Sequence, residues 1–177
     1  FDAASMNEIA RVAGVSKGTL YVYFANKEQL FEAIVGHECR AQGERIFALD
    51  ASDHDVEGVL TRLGLAFVEF LCRPERAPSL RTVIAIAERM PEVGRQFYQT
   101  GPAFGLAQLT TYLNAQVAAG VLVIEDCEVA AAQFMDSCLA TLFKPILFNL
   151  GTVPSPERIA HVVKIAVRTF LAAYLPR

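Results

Sequence analysis

The sequence predicts an all-α protein, with a short N-terminal group of helices followed by a longer C-terminal helical bundle. Apolar residues recur at helical spacing along most of the chain, whereas the alternation typical of half-buried strands is nearly absent. Capping and helix-breaking residues divide the chain into segments of helical length. Because 53% of the 177 residues are apolar, the chain can build a core and an apolar interface besides.

Three helices are predicted near the N-terminus, because Ser5, Ser16 and Asn26 each stand where a side-chain cap would begin one. The first two are short and meet at Gly14, which permits a sharp reversal of the chain. The third extends to about Leu49. Further helices are predicted at 56–72, 79–89, 91–119 with a break at 101–102, 126–150 and 155–174, and 120–125 is a connector with some strand character.

Residues 5–31 carry the clearest functional signal. Two short helices joined at Gly14 form a helix-turn-helix, whose second helix enters the major groove of DNA. Gly18 disfavours the helix that it begins, and a close approach to DNA would explain its presence. The alternative is a short helical pair within a bundle. The predicted DNA-binding residues are Ser5, Ser16, Lys17, Gly18, Thr19, Tyr21, Val22, Tyr23 and Lys27.

The run V-S-K-G-T-L-Y-V-Y-F-A-N-K-E-Q-L-F at 15–31 strongly resembles the signature of TetR-family transcriptional regulators. This resemblance implies a bacterial homodimer whose larger C-terminal domain binds a small molecule. It also implies DNA contacts by most of the residues named above, packing roles for Leu20 and Phe24, and a first helix that is largely missing before Phe1. A weaker resemblance, over about 80–149, is to the C-terminal domain of AefR-like members.

Large aromatic and thioether side chains are dense in the C-terminal part. Most of them must be core, but a helical bundle with so many large side chains can enclose an apolar cavity. The predicted ligand-binding residues are Phe67, Phe70, Phe97, Phe104, Tyr112, Phe134 and Met135. The last two predicted helices are apolar over most of their circumference, which predicts a homodimer with a four-helix interface.

Membrane and secreted proteins are disfavoured. Residues 96–124 carry no charge and are long enough to span a bilayer, but their amides and the Gly101-Pro102 break favour a soluble protein. The four cysteines are scattered and form no C-x-x-C pair, which indicates reduced, buried thiols in a cytoplasmic protein. A redox-sensing thiol is the alternative. The net charge of −3 means that DNA binding must come from a local surface.

An enzyme is also disfavoured, since no nucleophile, base and orienting group can be assembled. His37, His54 and His161 are far apart and form no metal-ligand pair, and the acidic segment around His54 is typical of a solvated loop. We therefore expect no catalytic residue, metal or cofactor.

The sequence thus predicts a cytoplasmic, ligand-responsive transcriptional regulator. It would act as a repressor that a small apolar effector releases from double-stranded operator DNA. A DNA-binding domain is expected at 1–36, and a ligand-binding and dimerisation domain at 37–177. The alternatives are a helical small-molecule or lipid carrier without specific DNA binding, and a DNA-binding protein that has no effector.

Overall fold

The described part of the chain is all-helical, as predicted. The computed structural model describes residues 4–176, and their side chains except those at 28, 32, 35 and 37–39. Within these residues the helices are α1 (Met6–Ala13), α2 (Lys17–Tyr23), α3 (Lys27–Ile46), α4 (Val56–Leu71), α5 (Arg76–Ala87), α6 (Pro91–Thr100), α7 (Pro102–Ala118), α8 (Cys127–Cys138), α9 (Phe143–Leu147) and α10 (Pro156–Tyr174).

The predicted N-terminal caps of the first three helices are confirmed. The side-chain oxygens of Ser5, Ser16 and Asn26 each accept a hydrogen bond from the backbone N–H three residues further on, at 3.2, 3.0 and 2.8 Å. Each bond satisfies a donor that has no partner inside its helix. The third helix ends at Ile46, three residues before the predicted end.

The prediction of one long helix over 126–150 is wrong, because α8 ends at Cys138 and α9 begins at Phe143. Pro145 explains the break. A proline inside a helix lacks a hydrogen-bond donor, and its ring clashes with the carbonyl four residues earlier, which belongs here to Thr141. Thr141 instead takes a φ of +64°, outside the right-handed helical region.

Two smaller predictions also need correction. α5 begins at Arg76, three residues before the predicted start, because Pro78 lies in its first turn, where a backbone N–H has no helical partner. The segment 120–125 is a connector, as predicted, but it has no strand character. Its Val123 N–H donates instead to the carbonyl of Tyr174, at 2.9 Å, which holds the connector against the end of α10.

The described apolar residues form two separate cores. The large core is built chiefly from α4, α7, α8 and α10. In it, α4 and α10 pack closely at Gly64, where an added Cβ would lie 2.7 Å from Val163. The small core lies at the N-terminal end of α3. It consists of Met6, Ala10, Leu20 and Leu30, with Ile9 and Phe24 packed against it. The packing roles implied for Leu20 and Phe24 are therefore confirmed.

A partly buried polar network fixes the connector between α3 and α4 to α7. The Tyr112 hydroxyl donates to the carbonyl of Asp53, and the Gln116 amide donates to the carbonyl of Ala51, each at 2.9 Å. His54 Nδ1 lies 2.7 Å from the amide oxygen of Gln116, so this histidine serves as an anchor. Burial raises the pKa of Tyr112 to about 12, which keeps its hydroxyl protonated as a donor.

Three of the cysteines, Cys72, Cys127 and Cys138, are free and buried, as expected of structural thiols. Burial raises the pKa of each of these thiols, and that of Cys138 rises to about 12, so the reactive thiolate is disfavoured. Cys39 and His37 lie outside the residues whose side chains are described. In the described part of the chain, no helix combines the length and hydropathy that a bilayer span requires.

Candidate functional site

The α1–α2 pair has the geometry of a helix-turn-helix. Gly14 ends α1 with a φ of +69°, a conformation that strains residues with side chains. The chain then reverses, and Ser16 caps α2. Among the residues of α2, only Leu20 is buried, and it packs into the small core together with Leu30 of α3. α2 is therefore held on one side and leaves its remaining surface to solvent.

All of the predicted DNA-binding residues on α2 are exposed: Lys17, Gly18, Thr19, Tyr21, Val22 and Tyr23. Apolar or aromatic side chains dominate this surface, because Val22 is 79% and Tyr23 is 74% exposed. Gly18 has open space around it, since an added Cβ would meet only the Ser16 hydroxyl, at 3.8 Å. Folding therefore does not require glycine at this position, so a partner outside the chain is the better explanation.

The remaining predicted DNA-binding residues lie close to helix N-termini. Ser16 and Ser5 are the N-caps of α2 and α1. Lys27 begins α3, and its ammonium group donates to the carbonyl of Ala4 at 2.9 Å, directly before Ser5. The structure thus brings Ser5 and Lys27 together from opposite ends of the motif. Helix N-termini with a nearby cation suit an anion such as a DNA phosphate.

An apolar cavity of about 300 Å³ lies in the C-terminal bundle, where the ends of several helices converge. This volume is at the lower end of the range for small-molecule sites. Four of the predicted ligand-binding residues, Phe67, Phe70, Phe97 and Met135, line it. The lining also includes residues that sequence reasoning did not select: Gly43, Ile46, Phe47, Leu71, Arg76, Ser79, Leu80, Gly101, Pro102, Asp136, Leu139 and Phe143.

The other three predicted ligand-binding residues are not among those that line the cavity, although Phe104 lies next to its wall at Gly43. Tyr112 is fully buried in the large core. Phe134 is buried there as well, and its ring meets that of Phe170 edge-on, with 5.6 Å between the centroids. Phe104 packs against α3 at Gly43, where an added Cβ would lie 3.2 Å from its ring. Core packing therefore accounts for these three side chains.

The cavity wall has few polar groups. The guanidinium of Arg76 lies 4.0 Å from the centre of the Phe70 ring, which is cation–π geometry. The hydroxyl of Ser79 donates to the carbonyl of Glu75 at 2.8 Å. Asp136, also in the lining, is exposed. Such a wall suits a mostly apolar molecule with one or two polar groups for orientation.

Two other hollows are less suited to an apolar molecule. A groove of about 460 Å³ lies beside α4 and is lined by charged side chains, among them Arg45, Arg62 and Glu69. Another, of about 530 Å³, lies between α3 and α6 and includes Arg40, Glu44 and other polar residues. Among the described residues, no group of three or more His, Cys, Asp or Glu side chains is placed to hold a metal ion.

Two family models match the chain. The model described as the C-terminal domain of AefR-like transcriptional repressors matches residues 58–176, which is most of the chain. The model described as bacterial regulatory proteins of the tetR family matches residues 1–34, the part that contains α1 and α2.

Solved structures agree with these matches. A TetR-family transcriptional regulator from Mesorhizobium loti is 28% identical, with a TM-score of 0.92 over 99% of this chain and 89% of that one. The flavonoid-responsive regulator FrrA is 30% identical, with a TM-score of 0.80 over 100% of this chain and 89% of its own. A TetR-family regulator from Pseudomonas syringae pv. tomato shares the fold at 23% identity, with a TM-score of 0.76 over 99% of this chain and 88% of its own.

The fold, the helix-turn-helix and the two family models therefore agree with one another. The family consists of regulators and not of enzymes. The chain is a DNA-binding transcriptional regulator and belongs to the TetR family of bacterial regulatory proteins, with an AefR-like C-terminal domain.

Proposed function

We propose that this regulator is a repressor that leaves its operator when a small, mostly apolar effector occupies the cavity of the C-terminal bundle. The observation that carries this proposal is that α3 takes part in both regions. Leu30, near its start, packs in the small core beneath α2, whereas Gly43 and Ile46, near its end, line the cavity. A ligand that moves α3 therefore also moves α2.

We place the boundary between the DNA-binding domain, 1–36, and the ligand-binding and dimerisation domain, 37–177, within α3. Leu30 is the last described member of the small core, and Phe47 is the first of the large core. A helix of 20 residues is about 30 Å long, so α3 spans a large part of the molecule. In the described backbone, α3 continues as one helix across this boundary, which suits the transmission of a movement.

The coupling that this mechanism needs is modest. A ligand shifts a conformational equilibrium only by its difference in affinity for the two states. Coupling free energies of about 1–3 kcal/mol are typical of allosteric proteins and correspond to changes in affinity of about 5- to 150-fold. By linkage, DNA must weaken effector binding by the same factor as the effector weakens DNA binding.

The cavity favours an aromatic effector with a few polar groups. Phe67, Phe70 and Phe97 supply faces and edges for ring stacking, and the guanidinium of Arg76 supplies hydrogen-bond donors. FrrA, which is 30% identical over the whole chain, is a flavonoid-responsive regulator. Flavonoids are therefore the first compounds to test, together with fatty acids and simple aromatic acids.

On DNA, we assign phosphate contacts to Ser5, Lys17, Tyr23 and Lys27, and base contacts to the exposed face of α2. Replacing Lys27 with Ala should weaken binding to specific and random DNA alike and lower the salt slope by about one unit. Replacing Thr19 or Tyr21 with Ala should instead reduce the discrimination between the two. An unchanged salt slope in Lys27→Ala, measured by fluorescence anisotropy, would exclude the phosphate contact.

We further propose a homodimer that forms through α8, α9 and α10. A dimer presents two recognition helices, which enter successive major grooves when they lie about 34–36 Å apart. Many apolar residues that suggested this interface, including Phe134 and Ile159, pack within the subunit's own core. Val129 and Ile165 remain 49% and 41% exposed and are available to a partner. A monomer at micromolar concentration, measured by light scattering on the full-length protein, would contradict a dimer.

The main experiment first selects a binding duplex from random-sequence DNA with the full-length protein. Flavonoids, fatty acids and aromatic acids are then screened by thermal shift, and every compound that stabilises the protein is added to the protein–DNA complex. We expect at least one stabilising compound to release the duplex. Stabilising compounds that leave DNA binding unchanged would argue for a regulator without this form of effector control.

A further inference from the structure

The recognition helix α2 is poor in the groups that read bases by hydrogen bonds. Its sequence, Lys-Gly-Thr-Leu-Tyr-Val-Tyr, contains no Arg, Asn, Gln, Asp or Glu. Paired hydrogen bonds from Arg or Lys to guanine, and from Asn or Gln to adenine, are the commonest means of reading purines in the major groove, and Lys17 is the one side chain of α2 that can form them. Hydrogen bonds from the side chains of α2 can therefore account for only part of its sequence preference.

Two of its polar side chains, Thr19 and Lys17, already make contacts within the helix and its cap. The Thr19 hydroxyl lies 2.8 Å from that of Ser16, within the cap of α2. The Lys17 ammonium lies 5.7 Å from the centre of the Tyr21 ring, over its face. The tyrosine hydroxyls can each form single hydrogen bonds to DNA, but these discriminate less between bases than paired ones.

Val22 is the most exposed large apolar side chain of α2, at 79%. Residues four apart lie on the same face of a helix, so Val22 and Gly18 share one face. Because Gly18 has no side chain and open space around it, this face can approach the floor of the groove closely. An approach of this kind brings the methyl groups of Val22 to the edges of the bases.

In the major groove, the only apolar group that bases present is the 5-methyl group of thymine. Building on the DNA-binding function proposed above, we propose that Val22 is a specificity-determining residue that recognises thymine through its 5-methyl group. Gly18 is a positioning residue for this contact, since it allows the helix to come near enough. The operator half-site should therefore contain a thymine on which binding depends through its methyl group.

The test uses the duplex selected by the full-length protein. Each thymine is replaced in turn by deoxyuridine, which removes the 5-methyl group and keeps the base pairing. Binding is measured by fluorescence anisotropy for the wild type and for Val22→Ala. For the wild type we expect one thymine per half-site at which deoxyuridine weakens binding about fourfold, the value of one buried methyl group. Val22→Ala should be insensitive to deoxyuridine at that position.

Val12→Ala is the matched control, because Val12 is 78% exposed but belongs to α1. It should keep the wild-type response to deoxyuridine. The inference is overturned if the wild type is insensitive at every thymine, or if Val22→Ala responds as the wild type does, which would point to an altered DNA shape. Failure to select any common sequence would instead overturn specific DNA binding itself, and this inference with it.

Discussion

The helix-turn-helix and the C-terminal bundle hold their helices together by different means. The small core beneath α2 contains four buried residues among those described, whereas the large core contains 23. Each of the first three helices begins with a side-chain cap, whereas in the bundle α4, α8 and α10 have one and α5, α6, α7 and α9 have none. Capping hydrogen bonds therefore contribute a larger share of the stabilising contacts in the N-terminal region, and apolar burial contributes a larger share in the bundle.

This difference suits the two functions. A region with few buried contacts opens locally at a low free-energy cost, and elements that move or bind are commonly of this kind. The bundle must hold a cavity open while its surroundings stay folded, which needs a large and well-packed core. If the cavity binds an effector as proposed, we therefore expect an adaptable DNA-binding surface and a bundle that is more rigid around the cavity.

The largest expected effect comes from a matched pair of core substitutions, Leu20→Ala and Leu60→Ala. Each should cost about 2–5 kcal/mol, the usual range for removing a buried leucine side chain. In the small core, this loss should unfold α1 and α2 locally, so DNA binding should be lost while the bundle stays folded. Leu60→Ala should lower the stability of the bundle and leave the protection of α2 unchanged. Hydrogen exchange followed by mass spectrometry measures the protection of each helix from exchange. A uniform loss of protection in either variant would contradict the distinction between the two regions.

The next effect concerns the cavity. Leu80 lines it from α5, and Leu80→Trp should fill part of the space that an effector needs. We expect this variant to lose the response to any effector found by screening, while DNA affinity stays within about twofold, as for a change that leaves the interface intact. Ala85→Trp is the control, because Ala85 is an exposed residue of the same helix. An equal loss of response in both variants would rule out this position for the site.

The smallest of these expected effects is that of Gly18→Ala. The free protein has room for the added methyl group, and alanine favours a helix over glycine by about 0.5–1 kcal/mol, so the melting temperature should rise slightly. On DNA, the methyl group should hold α2 away from the groove and lower affinity for the selected duplex by about tenfold, the value of one good base contact. Unchanged affinity in a stabilised variant would exclude the close approach.

The same difference between the regions decides what the sequence can predict. Caps, the turn at Gly14 and the residues of α2 depend on neighbours a few positions away, so they could be predicted residue by residue. The break before α9 could also have been predicted from Pro145, whose clash with Thr141 is a local effect. Signals of this kind are present in the sequence whatever the tertiary fold.

The cavity could be predicted only in outline. Phe70 and Phe134 are chemically identical and both lie on helices, yet one lines the cavity and the other packs against Phe170. What separates them is how the helices are rotated and spaced, which depends on tertiary packing. Arg76 also lines the cavity, and the sequence predicted no helix at this position, whereas α5 begins there.

The coupling of cavity and DNA is tested most directly by measuring one ligand's affinity with and without the other. The full-length protein would be titrated with the stabilising compound in the absence of DNA and at saturation with the selected duplex. The duplex would then be titrated in the absence and presence of the compound. We predict that the two affinities fall by the same factor, within about 5- to 150-fold. An effector that binds the free and the DNA-bound protein equally well would contradict a repressor controlled through α3.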